Sequence, residues 1–420
     1  MDAMSKPVFH PRFARALLNE ALQDTPAVLI HGPRQCGKTT LARSVGDAAG
    51  YSYISFDDDV LRASIEADPV GFVADLPDKV VLDEVQRVPK LFTALKVAID
   101  RDRRPGRFIL TGSANVLLLP RLADSLAGRL EILRLHPLAQ SELAARQSNF
   151  LDALFGDGFK ANHKGHRSGR DLAERIAAGG YPAALARPSP HRRAIWYRDY
   201  IETMVQRDVR DLARISSLEV LPRLLTMAAG QTARLLNVAD LASPFQLSRP
   251  TIRDYVTLLA RVFLLEELPP WHNNRLSRLI KTPKLHLGDT GLACSLLGVD
   301  AAALWTDRTL LGHLLETFIF QELRRQAGWR SDPIIFHHYR DKDGVEVDIV
   351  LEGSGQRVAG VEVKAAATVT TKDFRGLRKL KEITGKRFTG GVVLYDGEVT
   401  TPFGDGLFAV PIRNLWEGVS

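Results

Sequence analysis

Eight residues near the N-terminus have the spacing of a phosphate-binding loop. Gly32 and Gly37 flank four residues and are followed by Lys38 and Thr39, the pattern G-x-x-x-x-G-K-[ST]. Such a loop wraps its backbone N–H groups around a phosphate, its lysine reaches the β- and γ-phosphates, and its hydroxyl binds Mg²⁺. We therefore predict an ATP and Mg²⁺ site. The residues predicted to contact the nucleotide are Gly32, Pro33, Arg34, Gln35, Cys36, Gly37, Lys38, Thr39 and Thr40.

An acidic pair after a second apolar run would complete this chemistry. A strand that ends in Asp83 brings its carboxylate to the carboxyl edge of a parallel sheet, near the same Mg²⁺ as Thr39. Glu84 would then orient or deprotonate the attacking water. A surface Asp-Glu pair is the alternative. After the next apolar run, Ser113 could hydrogen-bond the γ-phosphate or the water, and Thr111 and Asn115 are weaker candidates for that role.

Arg129 precedes the expected fifth strand and would lie away from the nucleotide of its own chain. From there an arginine can reach the nucleotide of a neighbouring subunit and neutralise charge on the transferred phosphoryl group, which accelerates hydrolysis about 10³-fold or more. This interpretation predicts a homo-oligomer, most simply a ring or partial ring. An ordinary surface arginine is the alternative.

A second acidic set lies near the C-terminus. Glu362 and Lys364 share one face of an expected strand because side chains alternate with a period of two, and Asp348 lies on the neighbouring strand. With Glu316 on the preceding helix, the set is similar to the PD-(D/E)xK nuclease core. That resemblance implies Mg²⁺ or Mn²⁺ on Asp348, Glu362 and Glu316, with Lys364 orienting or deprotonating water. The alternatives are a salt-bridged surface and a fold that binds DNA without cleaving it.

The stretch 212–290 contains ten Lys and Arg residues against six acids. Its order, helices followed by a two-stranded hairpin, is that of a winged helix-turn-helix. The third helix would present Arg249, Thr251 and Arg253, positions that reach base edges or phosphates in such proteins. We therefore predict DNA as a partner, although winged helices also dock proteins.

The elements that must position these residues fall into distinct regions. Short apolar runs near 27–30, 51–56, 80–82, 108–110 and 130–135 alternate with helical patterns, which predicts a parallel sheet covered on both faces. The later stretch predicts a mainly helical region and then an α/β region of order αβββαβ. The expected domains are an ATPase core over 1–150, a helical lid and linker over 151–215, a winged helix over 216–300 and a nuclease-like domain over 301–420.

Composition limits the class of protein. The 420 residues are 45% hydrophobic and 25% charged with a net charge of +7, ordinary for a globular protein and compatible with a nucleic-acid partner. An apolar run long enough to span a membrane is missing from the sequence, as is a secretory signal at its start. Two distant cysteines suggest a reducing compartment. We therefore expect a cytoplasmic protein.

The region from about 25 to 215 resembles an AAA+ ATPase. More closely, the whole chain resembles a group of bacterial and archaeal ATPases with a C-terminal region of unknown function. In related ATPases an arginine directly after a Gly-x-Pro lid motif often senses nucleotide, whereas Ala183 stands there in this chain and Arg187 is the nearest substitute. Besides the phosphate-binding loop, the resemblance is carried by LDEVQ (82–86), LTGS (110–113), SLAGR (125–129), HPLAQSEL (136–143), GGYP (179–182), GDTGL (288–292), EVDIV (346–350) and VEVK (361–364).

These observations lead to one functional hypothesis and two rivals. We expect an oligomeric ATPase that remodels or processes DNA, with metal-dependent cleavage as a further possibility. The first rival is a regulatory switch, in which ATP turnover controls binding to DNA or a protein without cleavage. The second is a signalling ATPase that binds protein partners and no nucleic acid.

Overall fold

The computed structural model describes residues 9–113, 126, 128–156, 158–162, 165–210, 218–273 and 282–419. Its N-terminal part is a five-stranded sheet of order β2-β3-β4-β1-β5, in which every neighbouring pair is parallel. This confirms the predicted parallel sheet. The strands are β1 Ala27–His31, β2 Ser52–Ser55, β3 Val80–Asp83, β4 Phe108–Gly112 and β5 Leu130–Arg134, and the helices are α1 Arg15–Asp24, α2 Lys38–Ala49, α3 Asp59–Ala67, α4 Pro69–Ala74 and α5 Leu91–Arg101.

The central strands of this sheet are buried on both faces, which explains their continuous apolar runs. Alternate residues enter two separate hydrophobic clusters: Leu29 and Leu82 pack on one face, and Val28 and Val81 on the other. Because all strands run in one direction, the segments that follow β1, β3 and β4 emerge at one edge of the sheet. That edge positions the first candidate site.

Helices dominate the next region, which contains α6 Gln140–Leu143, α7 Phe150–Phe155, α8 Arg170–Ala178, α9 Pro182–Leu185, α10 Pro190–Thr203 and a π-helical turn, Met204–Val209. The start of α10 follows from local chemistry, because the Ser189 hydroxyl accepts a hydrogen bond from the Arg192 N–H and Pro190 takes the first helical position. The π-helical turn continues α10 directly. Such turns are rare and often mark functional sites.

A region of three helices and a small antiparallel sheet follows. Its elements are α11 Val220–Gly230, β6 Arg234–Leu235, α12 Val238–Ala242, α13 Arg249–Arg261, β7 Leu265–Leu268 and β8 Lys284–Leu287, and the strand order is β6-β8-β7. Asn237 caps α12 and Ser248 caps α13 through their side-chain oxygens. This segment is called the three-helix region below.

The C-terminal part is a mixed six-stranded sheet of order β13-β14-β12-β11-β10-β9. Strands β9 to β11 pair antiparallel, whereas β12 is parallel to both β11 and β14. Strands β13 and β14 and the last helix were not predicted. The strands are β9 Ile335–Arg340, β10 Glu346–Glu352, β11 Val358–Lys364, β12 Phe388–Tyr395, β13 Thr401–Pro402 and β14 Leu407–Pro411, and the helices are α14 Thr290–Leu297, α15 Ala301–Thr306, α16 Arg308–Ala327, α17 Arg375–Thr384 and α18 Asn414–Glu417.

One hydrophobic cluster extends from Phe150 to Trp416 and joins the helical region, the three-helix region and the C-terminal sheet. Helix α7, for example, packs against β11 and β12. The domain boundaries at 150, 215 and 300 stay predictions, since a shared core does not mark them. Across the described residues, the helices are too short or too polar to cross a membrane.

Candidate active site

The loop between β1 and α2 is tightly enclosed. A Cβ atom on Gly32 would lie 2.0 Å from the carbonyl oxygen of Leu135, so only glycine fits there, and Gly37 has a φ of 100°, which favours glycine. The buried Lys38 ammonium donates hydrogen bonds to the carbonyl oxygens of Gly32, at 3.0 Å, and Pro33, at 2.7 Å. The ammonium group therefore lies inside the curve of the loop.

The other predicted nucleotide contacts differ in exposure. Cys36 is fully buried, its Sγ atom lies 3.5 Å from the Leu135 carbonyl oxygen, and burial raises the pKa of the thiol. Gln35, with a φ of 58°, and Thr40 are exposed. Arg34 points towards the helical region, where its Nε donates to Asp208 Oδ2 over 2.5 Å.

Arg12 contacts the loop from outside, and no sequence motif pointed to this residue. Its guanidinium donates to the carbonyl oxygens of Cys36 and His136, both at 2.6 Å, and to Glu142 Oε1 at 3.0 Å. Glu142 also accepts from the backbone N–H groups of Phe13 and Ala139. Glu142 and His136 belong to the HPLAQSEL segment, so these contacts connect the phosphate-binding loop to the segment that follows β5.

Asp83 lies at the carboxyl end of β3, directly beside α2. Its two carboxylate oxygens lie 3.0 and 3.1 Å from the Thr39 hydroxyl, and the Tyr53 hydroxyl donates to Oδ2 at 2.7 Å. The Thr111 hydroxyl contacts Oδ1. Burial, followed by the hydrogen bond to Asp83, raises the pKa of Tyr53 to about 12. Clustered carboxylate and hydroxyl oxygens are ligands that Mg²⁺ accepts, so Thr39 and Asp83 fit this ion.

Glu84 and Ser113 are joined by a residue that sequence reasoning did not single out. Gln86 contacts the Glu84 carboxylate through Nε2, which also donates to the Ser113 hydroxyl at 3.0 Å, and Gln86 Oε1 accepts from the Ser113 N–H at 3.3 Å. Glu84 adopts a left-handed conformation with a φ of 58°, and its N–H donates to the Thr111 hydroxyl at 3.2 Å. Such a conformation is costly and is often found at active sites. Asn115 lies outside the described residues.

Arg129 lies at the opposite edge of the sheet from the loop, because β5 starts at the next residue and runs parallel to β1. Its Nε and Nη2 donate to Oδ1 and Oδ2 of Asp100 at 2.7 and 3.0 Å. This hydrogen-bonded pairing lowers the pKa of Asp100. Within its own chain, Arg129 is therefore held by α5 and lies apart from the residues around Asp83.

The predicted DNA-contacting residues lie at the start of α13. Arg249 is exposed, and the Thr251 hydroxyl is 2.8 Å from the hydroxyl of the capping residue Ser248. Arg253 donates to Glu267 of β7 at 2.8 Å. The basic residues Arg214, Arg275, Arg278 and Lys281 lie outside the described part of the chain.

A buried lysine lies within the second acidic set. Lys284, on β8 of the three-helix region, places its Nζ 2.7 Å from Glu316 Oε1 and 3.2 Å from Asp348 Oδ1. Asp348 Oδ2 accepts from the backbone N–H of Val363 at 3.0 Å. The lysine is 5% exposed and the three carboxyl residues, Glu316, Asp348 and Glu362, are 7 to 9% exposed. A lysine in the apolar run Lys-Leu-His-Leu was the one sequence signal for this contact.

Burial and this lysine set the charge of the acidic set. Burial and the neighbouring Asp348 raise the pKa of Glu316 to about 8 and that of Glu362 well above its ordinary value. Burial also acts against the charge of Asp348, but Lys284 and the Val363 N–H outweigh it, so the pKa of Asp348 is lowered. Lys364 is only partly buried, and its Nζ lies 3.6 Å from Asp373 Oδ1.

Metal binding by Asp348, Glu362 and Glu316 stays a prediction that the geometry does not strengthen. Over the described ranges, the His, Cys, Asp and Glu side chains form no group of three or more arranged to hold a metal ion. The Lys284 ammonium lies between two of the three carboxylates, where it already supplies a positive charge.

A buried aspartate explains two further segments of the resemblance. Asp289 accepts hydrogen bonds from the Gly180 N–H at 2.8 Å, the Tyr197 hydroxyl at 2.9 Å and Arg325 Nη2 at 3.0 Å. Arg325 in turn donates to the Leu138 carbonyl oxygen. The GGYP and GDTGL segments thus join the helical region to α16. Ala183 packs against the large hydrophobic cluster and Arg187 is exposed.

Three family descriptions match consecutive parts of the chain. Residues 24–144 match the AAA domain, residues 169–303 a domain of unknown function, DUF8612, and residues 311–415 another, DUF4143. The uncharacterized proteins Mb2031c of Mycobacterium bovis and Rv2008c of Mycobacterium tuberculosis are each 31% identical to this chain over 406 residues. Each alignment covers 96% of this chain and 84% of the relative.

Several solved structures are similar to this chain. The Walker-type ATPase PABY2304 of Pyrococcus abyssi is 16% identical, with a TM-score of 0.44, over 70% of this chain and 99% of that chain. The Aeropyrum pernix ORC1 protein, in complex with DNA, is 14% identical, with a TM-score of 0.31, over 69% and 93%. The Thermotoga maritima RuvB Holliday junction branch migration motor is 18% identical, with a TM-score of 0.30, over 61% and 89%. With TM-scores below 0.5, these structures do not establish a shared overall fold.

Proposed function

This chain belongs to the family of the mycobacterial proteins Mb2031c and Rv2008c and is an ATPase of the AAA class; we propose that it hydrolyses ATP at the loop 32–39 in order to act on DNA. The observation that carries the proposal is the contact between the Thr39 hydroxyl and the Asp83 carboxylate at 3.0 Å. It joins the start of α2 to the end of β3, the two elements whose motifs were separately expected to bind one nucleotide.

In this proposal each side chain has a distinct task. The backbone of the loop and Lys38 bind the phosphates, and Thr39 and Asp83 hold Mg²⁺, which neutralises phosphate charge when bound. Glu84 takes a proton from the attacking water, and Ser113 orients the γ-phosphate or that water. Gln86 is a positioning residue, because it contacts both Glu84 and Ser113.

The proposal includes a second subunit. Arg129 lies at the sheet edge opposite the loop, where it pairs with Asp100, and this position supports a role at the nucleotide of a neighbouring chain. Replacing Arg129 by alanine should lower the ATPase rate about 10³-fold or more while nucleotide binding remains. Mixing this variant with Glu84→Gln should restore activity, because each supplies what the other lacks. Mixed samples with no more activity than either variant alone would contradict a shared site.

Features of the three-helix region support DNA as the molecule on which the ATPase acts. Its order is helix, strand, two helices and two strands, and β6 pairs with β8, as in a winged helix. Arg249 is exposed at the start of the helix that such proteins place in the major groove. The sequence of 212–290 has ten basic residues against six acids, and the nine besides the buried Lys284 favour contact with phosphates.

The test is the ATPase rate of the full-length chain with and without duplex, single-stranded and branched DNA at several salt concentrations. We expect DNA to stimulate turnover, and the stimulation to fall with salt because phosphate contacts release counterions. Lys38→Ala controls for contaminating ATPases. Turnover that ignores all three DNA forms at low salt would contradict the role on DNA and leave the ATPase itself standing.

A second candidate function is an ATP-controlled switch that binds DNA or a protein without cutting. The observation that favours it is Lys284, whose ammonium lies between Glu316 and Asp348. Cleavage of linear and branched DNA with Mn²⁺ separates the two candidates. The switch predicts no cleavage by wild type. Cleavage by wild type that Lys364→Ala abolishes would establish a nuclease, whereas equal cleavage by both would indicate a contaminant.

A further inference from the structure

An ion pair links the phosphate-binding loop to the π-helical turn. Arg34 lies between the two glycines of the loop, and its Nε donates to Oδ2 of Asp208 at 2.5 Å. The two residues are 174 positions apart in the chain. Neither the loop motif nor the sequence around Asp208 predicts the pair, because it exists only after the helical region packs against the sheet.

The two partners are unequally buried. The Arg34 side chain is 21% exposed, whereas that of Asp208 is 1% exposed. The second oxygen, Oδ1, is buried without a hydrogen-bond partner among the residues that the structure describes. A buried carboxylate that loses its cation is strongly destabilised unless it reaches another donor or water. Asp208 therefore depends on Arg34, while Arg34 has a route to other anions.

The guanidinium of Arg34 also lies within electrostatic reach of the hydrolytic residues. Burial lowers its pKa, but the hydrogen bond and charge of Asp208 outweigh this effect and Glu84 adds to them, so the pKa of Arg34 is raised. Arg34 is itself part of the loop that is proposed to wrap the phosphates, between Gly32 and Gly37. A guanidinium has five N–H donors and binds phosphate oxygens well.

An aromatic cluster connects the loop backbone to the same helix. The Tyr200 hydroxyl donates to the carbonyl oxygen of Arg34 at 3.4 Å, and the Tyr200 ring stacks on Trp196 with centroids 5.1 Å apart. Both aromatic residues belong to α10, which continues into the π-helical turn that holds Asp208. A displacement of Arg34 would therefore be transmitted to Trp196.

We propose that the Arg34 guanidinium exchanges Asp208 for the γ-phosphate of bound ATP, so that the π-helical turn senses whether the nucleotide is ATP or ADP. The inference rests on the proposed nucleotide site. Ala183 has no charged side chain with which to sense the nucleotide. In this proposal Arg34 of the loop is the sensing cation, and Asp208 of the helical region is the anion that it leaves. Asp208 then lacks its cation, so the π-helical turn rearranges until the Asp208 carboxylate reaches water.

The first test compares wild-type protein with Mg-ADP and with a non-hydrolysable ATP analogue and Mg²⁺. Backbone amides of Met204–Val209 should exchange hydrogen about tenfold faster with the analogue than with ADP, as expected when one hydrogen-bonded pair is lost. The emission of Trp196, isolated by difference from Trp196→Phe, should also change with the analogue and not with ADP. Equal exchange and equal emission with both nucleotides would overturn the inference.

The second test uses Asp208→Asn, which keeps the shape of the side chain and removes its charge. The preference for the analogue over ADP should rise about tenfold, because Arg34 no longer leaves a carboxylate to reach the phosphate. The difference in amide exchange should disappear. Asp199→Asn, an exposed residue of α10, is the matched control and should behave as wild type. An unchanged nucleotide preference in a folded Asp208→Asn protein would also overturn the inference.

The outcomes separate this inference from the function on which it rests. If wild type binds neither nucleotide by calorimetry, the proposed site at the loop fails. If both nucleotides bind with equal exchange over 204–209, the ATPase site stands and the sensing role of Arg34 and Asp208 fails. Since the amide-exchange measurement of the first test uses wild-type protein alone, a misfolded Asp208→Asn protein does not prevent a decision.

Discussion

The two acidic sites of this chain use similar residues and differ in what faces the carboxylate. Asp83 ends a buried parallel strand and is met by the hydroxyls of Thr39, Tyr53 and Thr111. Asp348, on a strand of the C-terminal sheet, is met by the ammonium of Lys284. Hydroxyl partners leave a carboxylate with its negative charge uncompensated, whereas an ammonium neutralises it.

The groups that contact each carboxylate differ in how well they suit a metal ion, although both sites are built on aspartate. At Asp83 a divalent cation would add charge where the contacting hydroxyls supply none, and hydroxyl oxygens can join its coordination. At Asp348 a cation would have to displace a lysine that also donates a hydrogen bond to Glu316. A buried pair that loses one member leaves an unpaired charge, which is costly. The first arrangement suits ion binding and the second suits a link between regions.

The largest expected effect is at the first site. Glu84→Gln should reduce ATP hydrolysis about 10²- to 10⁴-fold, because it removes the proposed general base without changing the shape of the side chain. ATP binding, measured by calorimetry with Mg²⁺, should survive. Glu66→Gln, an exposed residue of α3, is the matched control. Hydrolysis within a few-fold of wild type would show that another group activates the water.

The next effect concerns the role of Lys284. Lys284→Met should lower the free energy of unfolding by about 3 kcal/mol, since it leaves the buried Asp348 carboxylate without its cation. Lys364→Met is the control, because Lys364 is 41% exposed and its partner Asp373 is 3.6 Å away, so the change should stay under about 1 kcal/mol. Denaturant titration of both variants decides the matter. Equal losses of unfolding free energy in the two variants would show that Lys284 does not compensate a buried charge.

A pH dependence follows from Glu316. Its pKa in the folded chain is about 8, above the ordinary value of 4.5, so the folded state binds the proton more tightly than the unfolded state. The resulting stability is complete below about pH 4.5 and is lost as the pH rises through about 8, by at most about 1.4 kcal/mol per pH unit. Glu316→Gln should make the unfolding free energy less steeply dependent on pH between about pH 5 and pH 8, the window between the unfolded and folded pKa values of Glu316, while the raised pKa of Glu362 leaves a remainder. An equally steep dependence in the variant would assign it to other groups.

The smallest effect is expected in the three-helix region, where the proposed function places DNA binding. Arg249→Ala should weaken duplex binding and reduce the salt slope by about one unit. Arg253→Ala should have less effect because Glu267 already pairs with it at 2.8 Å. Binding measured by fluorescence anisotropy at several salt concentrations provides the comparison. A larger loss with Arg253 would reverse the assignment of the contact surface.

The predictable part of the fold consists of elements with strong local patterns. Strands β1, β3 and β4 were evident from their apolar runs, and α12 and α13 begin at the local side-chain caps Asn237 and Ser248. Strand β13 has two residues and offers no period to recognise, so it was missed together with β14. The parallel pairing of β14 with β12 depends on contacts across the sheet that no local pattern specifies.

The candidate sites divide in the same way. The loop, Asp83 and Glu84 were predictable because the spacing of a few neighbouring residues determines where their side chains lie on a strand or helix. Arg12, Tyr53 and Gln86 were not predicted, since each contributes through a partner distant in sequence or through the curvature of a loop.

By itself the sequence determined the nucleotide-binding motif, the parallel sheet that presents it and the presence of a second acidic set. Only the tertiary structure decided what those acids face. Asp83 meets hydroxyls, Asp348 meets Lys284, and Arg34 meets Asp208 across 174 residues. The physical reason is that motifs express local geometry, whereas the charge around a buried carboxylate depends on which distant segment packs against it.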